Sequence, residues 1–314
     1  RHFTMKKGFT EQDVPSQKGK TFVITGANTG LGFENARYFA GAGMKVVMAC
    51  RSEDRARNAM ERIESEIKGA DLEFLQVDLS DLTSVRRFAD AFRKQHDTLD
   101  LLVNNAGIMW TPYEKSVDGF EGQMAANYFG HFLLTSMLLD MIPDAPEARV
   151  VSLSSIAHTQ RPRRIRFEDI HWNKGYNKLH AYAQTKLACL MFALELQRRL
   201  EQAGRKTLSV AAHPGVSETE LLRSLKPWQV SLVRTALGPI RGLVSHPPRQ
   251  AAIPQVMAAL DPDIAGGAYV GPQGLREMAG QPGRAKIMPW ARDADANRRL
   301  WEVSSELTGA EWPI

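Results

Sequence analysis

Short apolar runs alternate along this chain with longer segments of helical periodicity. Several runs are almost wholly apolar, as parallel strands are when helices cover both faces of their sheet. Repeated strand and helix units join by right-handed crossovers into one sheet. The alternation therefore predicts an α/β fold: a Rossmann-type, doubly wound parallel sheet of about seven strands flanked by helices. The predicted strands are Thr21–Thr25, Lys45–Ala49, Glu73–Val77, Leu99–Asn104, Arg149–Ser154, Leu208–Ala212 and Ala268–Gly271.

The segments between these runs predict six helices, and the sequence shows no repeat, low-complexity stretch or interdomain linker. We therefore expect a single domain over residues 1–314. Residues 1–19 would form an N-terminal arm and residues 281–314 a C-terminal extension. The predicted helices are Gly30–Ala42, Glu53–Lys68, Leu82–Gln95, Gly119–Met141, Lys178–Gln202 and Arg249–Leu260.

Composition and charge exclude several classes of protein. The net charge of +5 suits an anionic cofactor but is too small to indicate nucleic-acid binding. The two cysteines, Cys50 and Cys189, lack the spacing of metal ligands and are expected to be buried thiols. No apolar run reaches the roughly eighteen residues of a membrane span, and no signal sequence precedes the fold. We expect a cytoplasmic protein that binds no nucleic acid and no metal and spans no membrane.

A glycine-rich turn follows the first apolar run and leads into a helix. Closely spaced glycines after a strand let the backbone approach a pyrophosphate, whose charge then lies at the helix N-terminus. The spacing is Gly-x-x-x-Gly-x-Gly, which differs from the Gly-x-Gly-x-x-Gly of the common dinucleotide fingerprint. The turn predicts a dinucleotide cradle formed by Gly26, Asn28, Thr29, Gly30, Leu31 and Gly32.

A tyrosine and a lysine four residues apart form the second informative pattern. Tyr182 and Lys186 fall on one face of a predicted helix, and Ser155 ends a predicted strand. A free phenol has a pKa of about 10, and a nearby ammonium favours its phenolate, which suits proton exchange with a substrate oxygen. The alternative is that Tyr182 and Lys186 are an ordinary exposed pair.

Together these motifs occur in a characteristic order over nearly the whole chain. The order resembles that of the short-chain dehydrogenase/reductase family. The segments Ala49-Cys50-Arg51 and 127–132 are similar to its retinol-dehydrogenase-like and protochlorophyllide-reductase-like branch. The resemblance implies hydride transfer between a nicotinamide dinucleotide and a small-molecule carbonyl or alcohol. The residues that carry it are the glycine-rich turn, Asn104-Asn105-Ala106-Gly107, Asn127, Ser155, Tyr182 with Lys186, and Pro214-Gly215.

The resemblance also implies a role for each catalytic candidate. Tyr182 would exchange the proton, and Lys186 would favour its phenolate and hold the nicotinamide ribose. Ser155 would donate a hydrogen bond to the substrate oxygen, while Asn127 would support a water that leads protons towards Lys186. Ser154 offers a second hydroxyl at the same strand end, and Asn127 could instead be a polar interruption of a buried helix.

Cofactor choice is expected where the second strand ends, because the adenosine ribose lies beside that position. Arg51 can form a forked ion pair with a 2′-phosphate, and Ser52 can add a hydroxyl. These residues favour NADP(H) and leave NAD(H) possible. The alternative is that Arg51 is a surface arginine at the start of the next helix.

Further cofactor contacts follow from the resemblance. Asp78 and Leu79, after the third strand, would contact the adenine, although Asp78 could equally cap the following helix. The remaining candidates are Asn105, Ala106 and Gly107 beside the adenine ribose, and Pro214, Gly215 and Thr219 beside the nicotinamide.

Residues 216–248 correspond to the segment that forms a substrate lid in the family. Apolar side chains in this segment favour a hydrophobic ketone or aldehyde, but they would equally suit a helix pair packed on the core. The other functions left open are a carbon–carbon double-bond reductase of the protochlorophyllide type and a non-catalytic dinucleotide-binding sensor. The apolar lid residues are Leu221, Leu222, Leu225 and Trp228.

The sequence leaves the oligomeric state open between a monomer and a homodimer. The resemblance implies association through the helices at residues 119–141 and 178–202, and the extension at 281–314 could cover or extend that surface.

Overall fold

An eight-stranded sheet runs through the computed structural model, which describes residues 8–216 and 247–314. Its strand order is β3-β2-β1-β4-β5-β6-β7-β8, with β1 to β7 parallel and β8 antiparallel to β7. The predicted fold class is confirmed, and β8 is added to it. The strands are β1 Thr21–Thr25, β2 Lys45–Cys50, β3 Asp71–Gln76, β4 Leu101–Asn104, β5 Arg149–Leu153, β6 Leu208–Ala212, β7 Tyr269–Pro272 and β8 Pro282–Arg284.

Helices connect the strands and mostly begin at polar capping residues. Ser52, Asp81, Asn177 and Asp293 accept hydrogen bonds from the first N–H groups of α2, α3, α6 and α9. The predicted helix at 119–141 contains a π-helical turn, Ala125–Phe129, between α4 and α5. The helices are α1 Gly30–Gly41, α2 Glu53–Glu66, α3 Leu82–Gln95, α4 Gly122–Met124, α5 Gly130–Leu138, α6 Lys178–Gln202, α7 Pro248–Ala251, α8 Ile253–Leu260 and α9 Ala294–Thr308.

Apolar clusters fill both faces of the sheet. Within β1, Phe22 and Ile24 belong to one cluster and Val23 to the other, as the alternation of side chains along a strand requires. All three side chains are fully buried. Burial on both faces explains why the strands read as continuous apolar runs.

The C-terminal helix α9 lies on α5 and α6, on the face that was predicted to form a homodimer. The Trp301 ring centroid lies 5.2 Å from that of Phe132 and 5.9 Å from that of Phe192, and Trp312 lies 5.0 Å from Phe132. The extension therefore covers part of this helix pair, and the homodimer stays a prediction. Within residues 8–216 and 247–314, no helix is long and apolar enough to cross a membrane.

The chain reverses its direction of winding between β1 and β4, which are neighbours in the sheet. In open α/β sheets, ligands bind at such a switch point, outside the carboxyl ends of the strands. This edge of the sheet is therefore where a ligand crevice is expected.

Candidate active site

The carboxyl ends of six neighbouring strands carry most of the residues that the sequence analysis selected; Asn127, Tyr182 and Lys186 lie on helical segments. The structure thus brings them to one edge of the sheet. Thr219 and most of the predicted lid, residues 217–246, lie outside the described residues. The order is Gly26 to Gly32 after β1, Arg51 and Ser52 after β2, Asp78 and Leu79 after β3, Asn105 to Gly107 after β4, Ser155 after β5, and Pro214 and Gly215 after β6.

The glycine-rich turn packs against the loop after β4 at contact distances that only glycine permits. A Cβ on Gly32 would lie 2.3 Å from the Gly26 carbonyl oxygen and 2.6 Å from Asn105 Nδ2. Gly26 has a φ of 67°, and a Cβ there would lie 2.9 Å from that of Ala106. At Gly30, by contrast, a Cβ would meet nothing within 4 Å. The turn is tight on its inner side and open at the start of α1.

The start of α1 differs from that of the other long helices. Thr29 occupies the capping position but makes no side-chain capping bond, and the first turn contains no acidic residue. Among residues 8–216 and 247–314, the first N–H groups of α1 therefore have no side-chain acceptor at the helix end, where the dipole is positive. Such an end favours an anionic ligand, so the cradle fits the pyrophosphate of a dinucleotide.

Arg51 and Asp78 meet beyond the ends of β2 and β3. The Arg51 guanidinium lies 3.9 Å from an Asp78 oxygen, and its side chain is 69% exposed. Ser52 caps α2, with its Oγ 3.5 Å from the Arg55 N–H. The predicted alternative for Asp78 is wrong, because Asp81 is the cap of α3. Because Arg51 is exposed and its contact with Asp78 is long, its guanidinium can pair with a phosphate.

The adjoining positions are buried or held by backbone bonds. Asp78 Oδ1 accepts hydrogen bonds from the Ser80 N–H and hydroxyl, which closes a short turn. Leu79 is 7% exposed and packs its backbone against α5, where a Cβ on Gly130 would lie 2.2 Å from the Leu79 oxygen.

Tyr182 and Lys186 lie one turn apart on α6 and are almost fully buried. The exposed fractions are 8% and 4%, so the alternative of an ordinary exposed pair is wrong. Lys186 Nζ donates to the Leu153 carbonyl oxygen at 3.1 Å and lies 5.8 Å from the centre of the Tyr182 ring. A nearby buried cation favours the phenolate form of a tyrosine.

The two serines at the end of β5 have different surroundings. Ser154 is 1% exposed and donates its hydroxyl to the Lys186 carbonyl oxygen at 2.7 Å. Ser155 is partly exposed and caps the short 3-10 helix Ile156–Thr159, where its Oγ accepts from the Ala157 N–H at 3.1 Å. Because Ser155 accepts in this bond, its hydroxyl hydrogen can still be donated. This geometry favours Ser155, as predicted, for a bond to substrate.

Asn127 lies in the π-helical turn and links the loop after β4 to α6. Its Oδ1 accepts from the Ile108 N–H at 2.8 Å, and its Nδ2 donates to the Ile108 oxygen at 2.9 Å and to Thr185 Oγ1 at 3.1 Å. With all these bonds the side chain is 1% exposed. Asn127 is therefore more than a polar interruption of a helix, while its predicted part in a proton relay stays a prediction.

Comparison with known proteins gives a consistent result. A family model described as short chain dehydrogenase matches residues 20–166. Human retinol dehydrogenase 13 is 38% identical over 298 residues, which cover 94% of this chain and 86% of that protein. The chain belongs to the short-chain dehydrogenase/reductase family. It is an oxidoreductase of the retinol-dehydrogenase-like branch.

Other relatives extend this similarity over almost the full chain. Polyprenol dehydrogenase of Mus musculus is 38% identical over 310 residues, 98% of this chain and 89% of that protein. An uncharacterized protein of Mycobacterium paratuberculosis, known from a crystal structure, superposes with a TM-score of 0.81 at 38% identity. The superposition covers 98% of this chain and all of that one.

An apolar wall beside Tyr182 was missed by the sequence reasoning. Met109 and Trp110, in the loop after the Asn105–Gly107 motif, pack against a small cluster that contains Tyr182 and Ala157. Trp110 has a φ of 58°, which is rare for a bulky residue. A bond of 2.9 Å from its N–H to Gln123 Oε1 holds this conformation.

Residues from the C-terminal part of this oxidoreductase support the segments that contain Ser155 and Gly215. The Ser155 carbonyl oxygen accepts from His158 Nδ1 at 2.7 Å and from the Tyr269 hydroxyl at 3.3 Å. Gly215, with a φ of 73°, would bring a Cβ within 2.3 Å of the Met278 oxygen, and the Val216 N–H donates to that oxygen at 2.8 Å. The Tyr269 and Met278 contacts join distant segments and leave no local signal in the sequence.

Metal ligation has no support in the described ranges, which contain no group of three His, Cys, Asp or Glu side chains suited to a metal. Cys50 and Cys189 are buried, as predicted. Burial raises the pKa of Cys50 to about 11 and also raises that of Cys189, so both thiols are protonated at neutral pH.

Proposed function

We propose that this protein is an NADP(H)-dependent oxidoreductase that transfers a hydride between the nicotinamide and a carbonyl or alcohol, with a hydrophobic ketone or aldehyde as the reducible substrate. One observation carries the proposal: buried Tyr182 and Lys186 lie one turn apart, on the helix that also binds the Ser154 hydroxyl beside Ser155. A protein that only bound a dinucleotide would not need this proton donor.

The cofactor would be held by the residues at the strand ends. The start of α1, with Gly30 and Asn28, would receive the pyrophosphate, and Arg51 with Ser52 would pair with the 2′-phosphate of NADP(H). NAD(H) lacks that phosphate and would lose this contact. The remaining predicted contacts are Asp78 and Leu79 at the adenine, Asn105, Ala106 and Gly107 at its ribose, and Pro214, Gly215 and Thr219 at the nicotinamide.

Proton transfer follows from the chain's own residues. When bound, NADPH would supply a hydride to the carbonyl carbon and would be oxidised to NADP⁺, so the chain's residues have to supply the proton that the oxygen needs. Ser155 would donate a hydrogen bond to the carbonyl oxygen, and the Tyr182 phenol would transfer its proton to that oxygen. The Lys186 ammonium stabilises the resulting phenolate until it is reprotonated from solvent. In the opposite direction the phenolate removes the alcohol proton.

The apolar wall of Met109 and Trp110 supports a hydrophobic substrate. These side chains flank Tyr182, where a substrate's reacting group would lie. Two relatives are named for retinol and polyprenol, which are long apolar alcohols. A double-bond reductase has less support, because Cys189 is buried with its thiol 3.3 Å from the Asn127 oxygen and is not placed as a second proton donor.

The decisive test follows NADPH and NADH oxidation with aldehydes and ketones graded by size and polarity. We expect turnover that prefers NADPH and hydrophobic carbonyls. Tyr182→Phe should lower kcat by about 10²–10⁴-fold, because it removes the acid, and should leave NADPH binding largely unchanged. Turnover retained in that variant would refute the acid role. NADPH binding without turnover of any carbonyl would favour the sensor.

A further inference from the structure

A buried histidine lies between the dinucleotide cradle and the reaction side. His131, at the start of α5, is 4% exposed and stands one helical turn after Asn127. Its Nδ1 lies 2.9 Å from the Asn127 carbonyl oxygen, and its Nε2 lies 2.8 Å from Thr25 Oγ1. The ring thus joins the π-helical turn to the last residue of β1.

The direction of each hydrogen bond can be assigned. A carbonyl oxygen only accepts, so Nδ1 carries the hydrogen. Thr25 Oγ1 accepts from the N–H groups of Asn105 and Ala106, both at 2.9 Å, which occupies its two lone pairs. The hydroxyl hydrogen is therefore donated to His131 Nε2. Burial lowers the pKa of His131 to about 4, in agreement with this neutral tautomer.

Both ends of this connection carry functional groups. Thr25 directly precedes Gly26, and its hydroxyl fixes the loop that begins at Asn105. At the other end, the Asn127 side chain binds Ile108 and Thr185, and Thr185 is the neighbour of Lys186. A change in the His131 ring would therefore displace residues next to the dinucleotide cradle as well as residues next to Lys186.

We propose that His131 is a positioning residue that sets the spacing between the dinucleotide cradle and the Tyr182–Lys186 pair. The inference rests on the proposed function, because that spacing matters only where a bound nicotinamide must meet the proton donor. Hydride transfer is sensitive to such displacements, and a shift of about 1 Å can cost on the order of 100-fold in rate.

The test compares His131→Phe with a matched control, Tyr128→Phe. His131→Phe keeps a buried ring and removes both hydrogen bonds. Tyr128→Phe removes one buried bond, to Ser304 Oγ at 2.9 Å, from the π-helical turn to which His131 binds, and this bond points towards α9. We expect His131→Phe to lower kcat about 10- to 100-fold and to raise the Kd for NADPH several-fold, with little change in substrate KM. Tyr128→Phe should lower Tm and leave kcat and Kd near wild type.

A third variant separates the two bonds of His131. His131→Asn places an amide N–H where Nδ1–H was, which preserves the bond to Asn127 and loses the one to Thr25. Its kcat should lie between those of wild type and His131→Phe, and it also serves if the phenylalanine variant does not fold.

The outcomes distinguish the inference from the proposed function. Wild-type kcat and NADPH Kd in both His131 variants, with Tm lowered as in Tyr128→Phe, would overturn the positioning role and leave the proposed function intact. If the wild-type protein binds NADPH but reduces no carbonyl, the proposed reaction fails, and the NADPH Kd alone decides on His131. An unchanged Kd in His131→Phe would then overturn the inference.

Discussion

The crevice has two sides that are built differently. The dinucleotide side, at the Gly26–Gly32 turn, is shaped by close backbone contacts of glycines. The reaction side, around Ser155, Tyr182 and Gly215, is held by side chains from distant parts of the chain. On the first side, Gly32 packs so closely on Gly26 that no Cβ fits between them. On the second, Tyr269 reaches back to the Ser155 carbonyl, and His213 with Glu277 supports the segment at Gly215.

This difference predicts that the two sides differ in how well they tolerate substitutions. A backbone contact cannot yield without moving a strand end, so one added carbon on the dinucleotide side should cause a large loss. A side-chain hydrogen bond contributes about 1 kcal/mol on average, so single deletions on the reaction side should give graded effects.

The largest effect is expected for Gly32→Ala. Its Cβ would lie 2.3 Å from the Gly26 oxygen, a contact that forces the turn apart. We expect NADPH binding to fall below detection and the free energy of unfolding to fall by roughly 2 kcal/mol or more. Gly30→Ala is the control for the unfolding measurement alone, because its Cβ meets open space and the cost is that of the left-handed backbone, about 1 kcal/mol. Titration of NADPH fluorescence and denaturant unfolding measure both, and normal NADPH binding by Gly32→Ala would contradict the tight-turn account.

A smaller effect is expected for Arg51→Asp, because it changes a side chain at the open rim of the same side. Loss of the phosphate contact and the added repulsion should weaken NADPH by about 10- to 100-fold and leave NADH within a few-fold. Arg55→Asp, an exposed residue one turn into α2, is the matched charge control. If both variants kept the wild-type ratio of the two dissociation constants, Arg51 would not lie at the phosphate site.

The same contrast decides how much of the molecule could be predicted. Strand ends, helix caps and the glycine turn depend on residues close in sequence, and the predicted bounds of β1, β6, α3 and α6 agree with the structure. Asp293 and the left-handed Gly309 would have located α9, which the sequence analysis left as an unassigned extension.

The remaining features depend on residues that only the fold brings together. The three residues of β8 pair with β7 without an apolar pattern of their own. The bond between His131 and Thr25 spans 106 residues, and the bond between Tyr269 and Ser155 spans 114 residues. No local periodicity signals such contacts, so candidate catalytic residues could be proposed from the sequence, whereas the residues that support them could not.

The substrate preference should respond to Trp110 on the reaction side. Trp110→Ala removes the aromatic part of the apolar wall and still places a non-glycine residue at the positive φ of this position. Trp110→Phe preserves an apolar ring. We expect the ratio of kcat/KM for a long apolar aldehyde over a short one to fall about tenfold in the alanine variant, with an unchanged NADPH Kd. Steady-state kinetics with matched aldehydes measure this ratio. An equal loss for all chain lengths would mean that Trp110 supports Tyr182 without contacting the substrate.

The smallest effect is expected for Glu277, whose carboxylate pairs with His213 at 3.1 Å beneath the Pro214–Gly215 segment. Burial opposes its ionisation, but hydrogen bonds from His213 and the Lys286 N–H outweigh this and lower the pKa of Glu277. Because the folded pKa is below the unfolded one, the unfolded chain binds more protons as the pH falls from about 5, and this stabilisation is lost there. The Glu277→Gln variant has no carboxylate at this position, so it has no such stabilisation to lose at low pH. Between pH 7 and pH 4 the wild type should therefore lose about 1 kcal/mol more stability than the variant, a modest amount because the carboxylate is 24% exposed. Urea unfolding at both pH values measures the difference, and parallel pH profiles would show that the His213–Glu277 pair does not stabilise the reaction side.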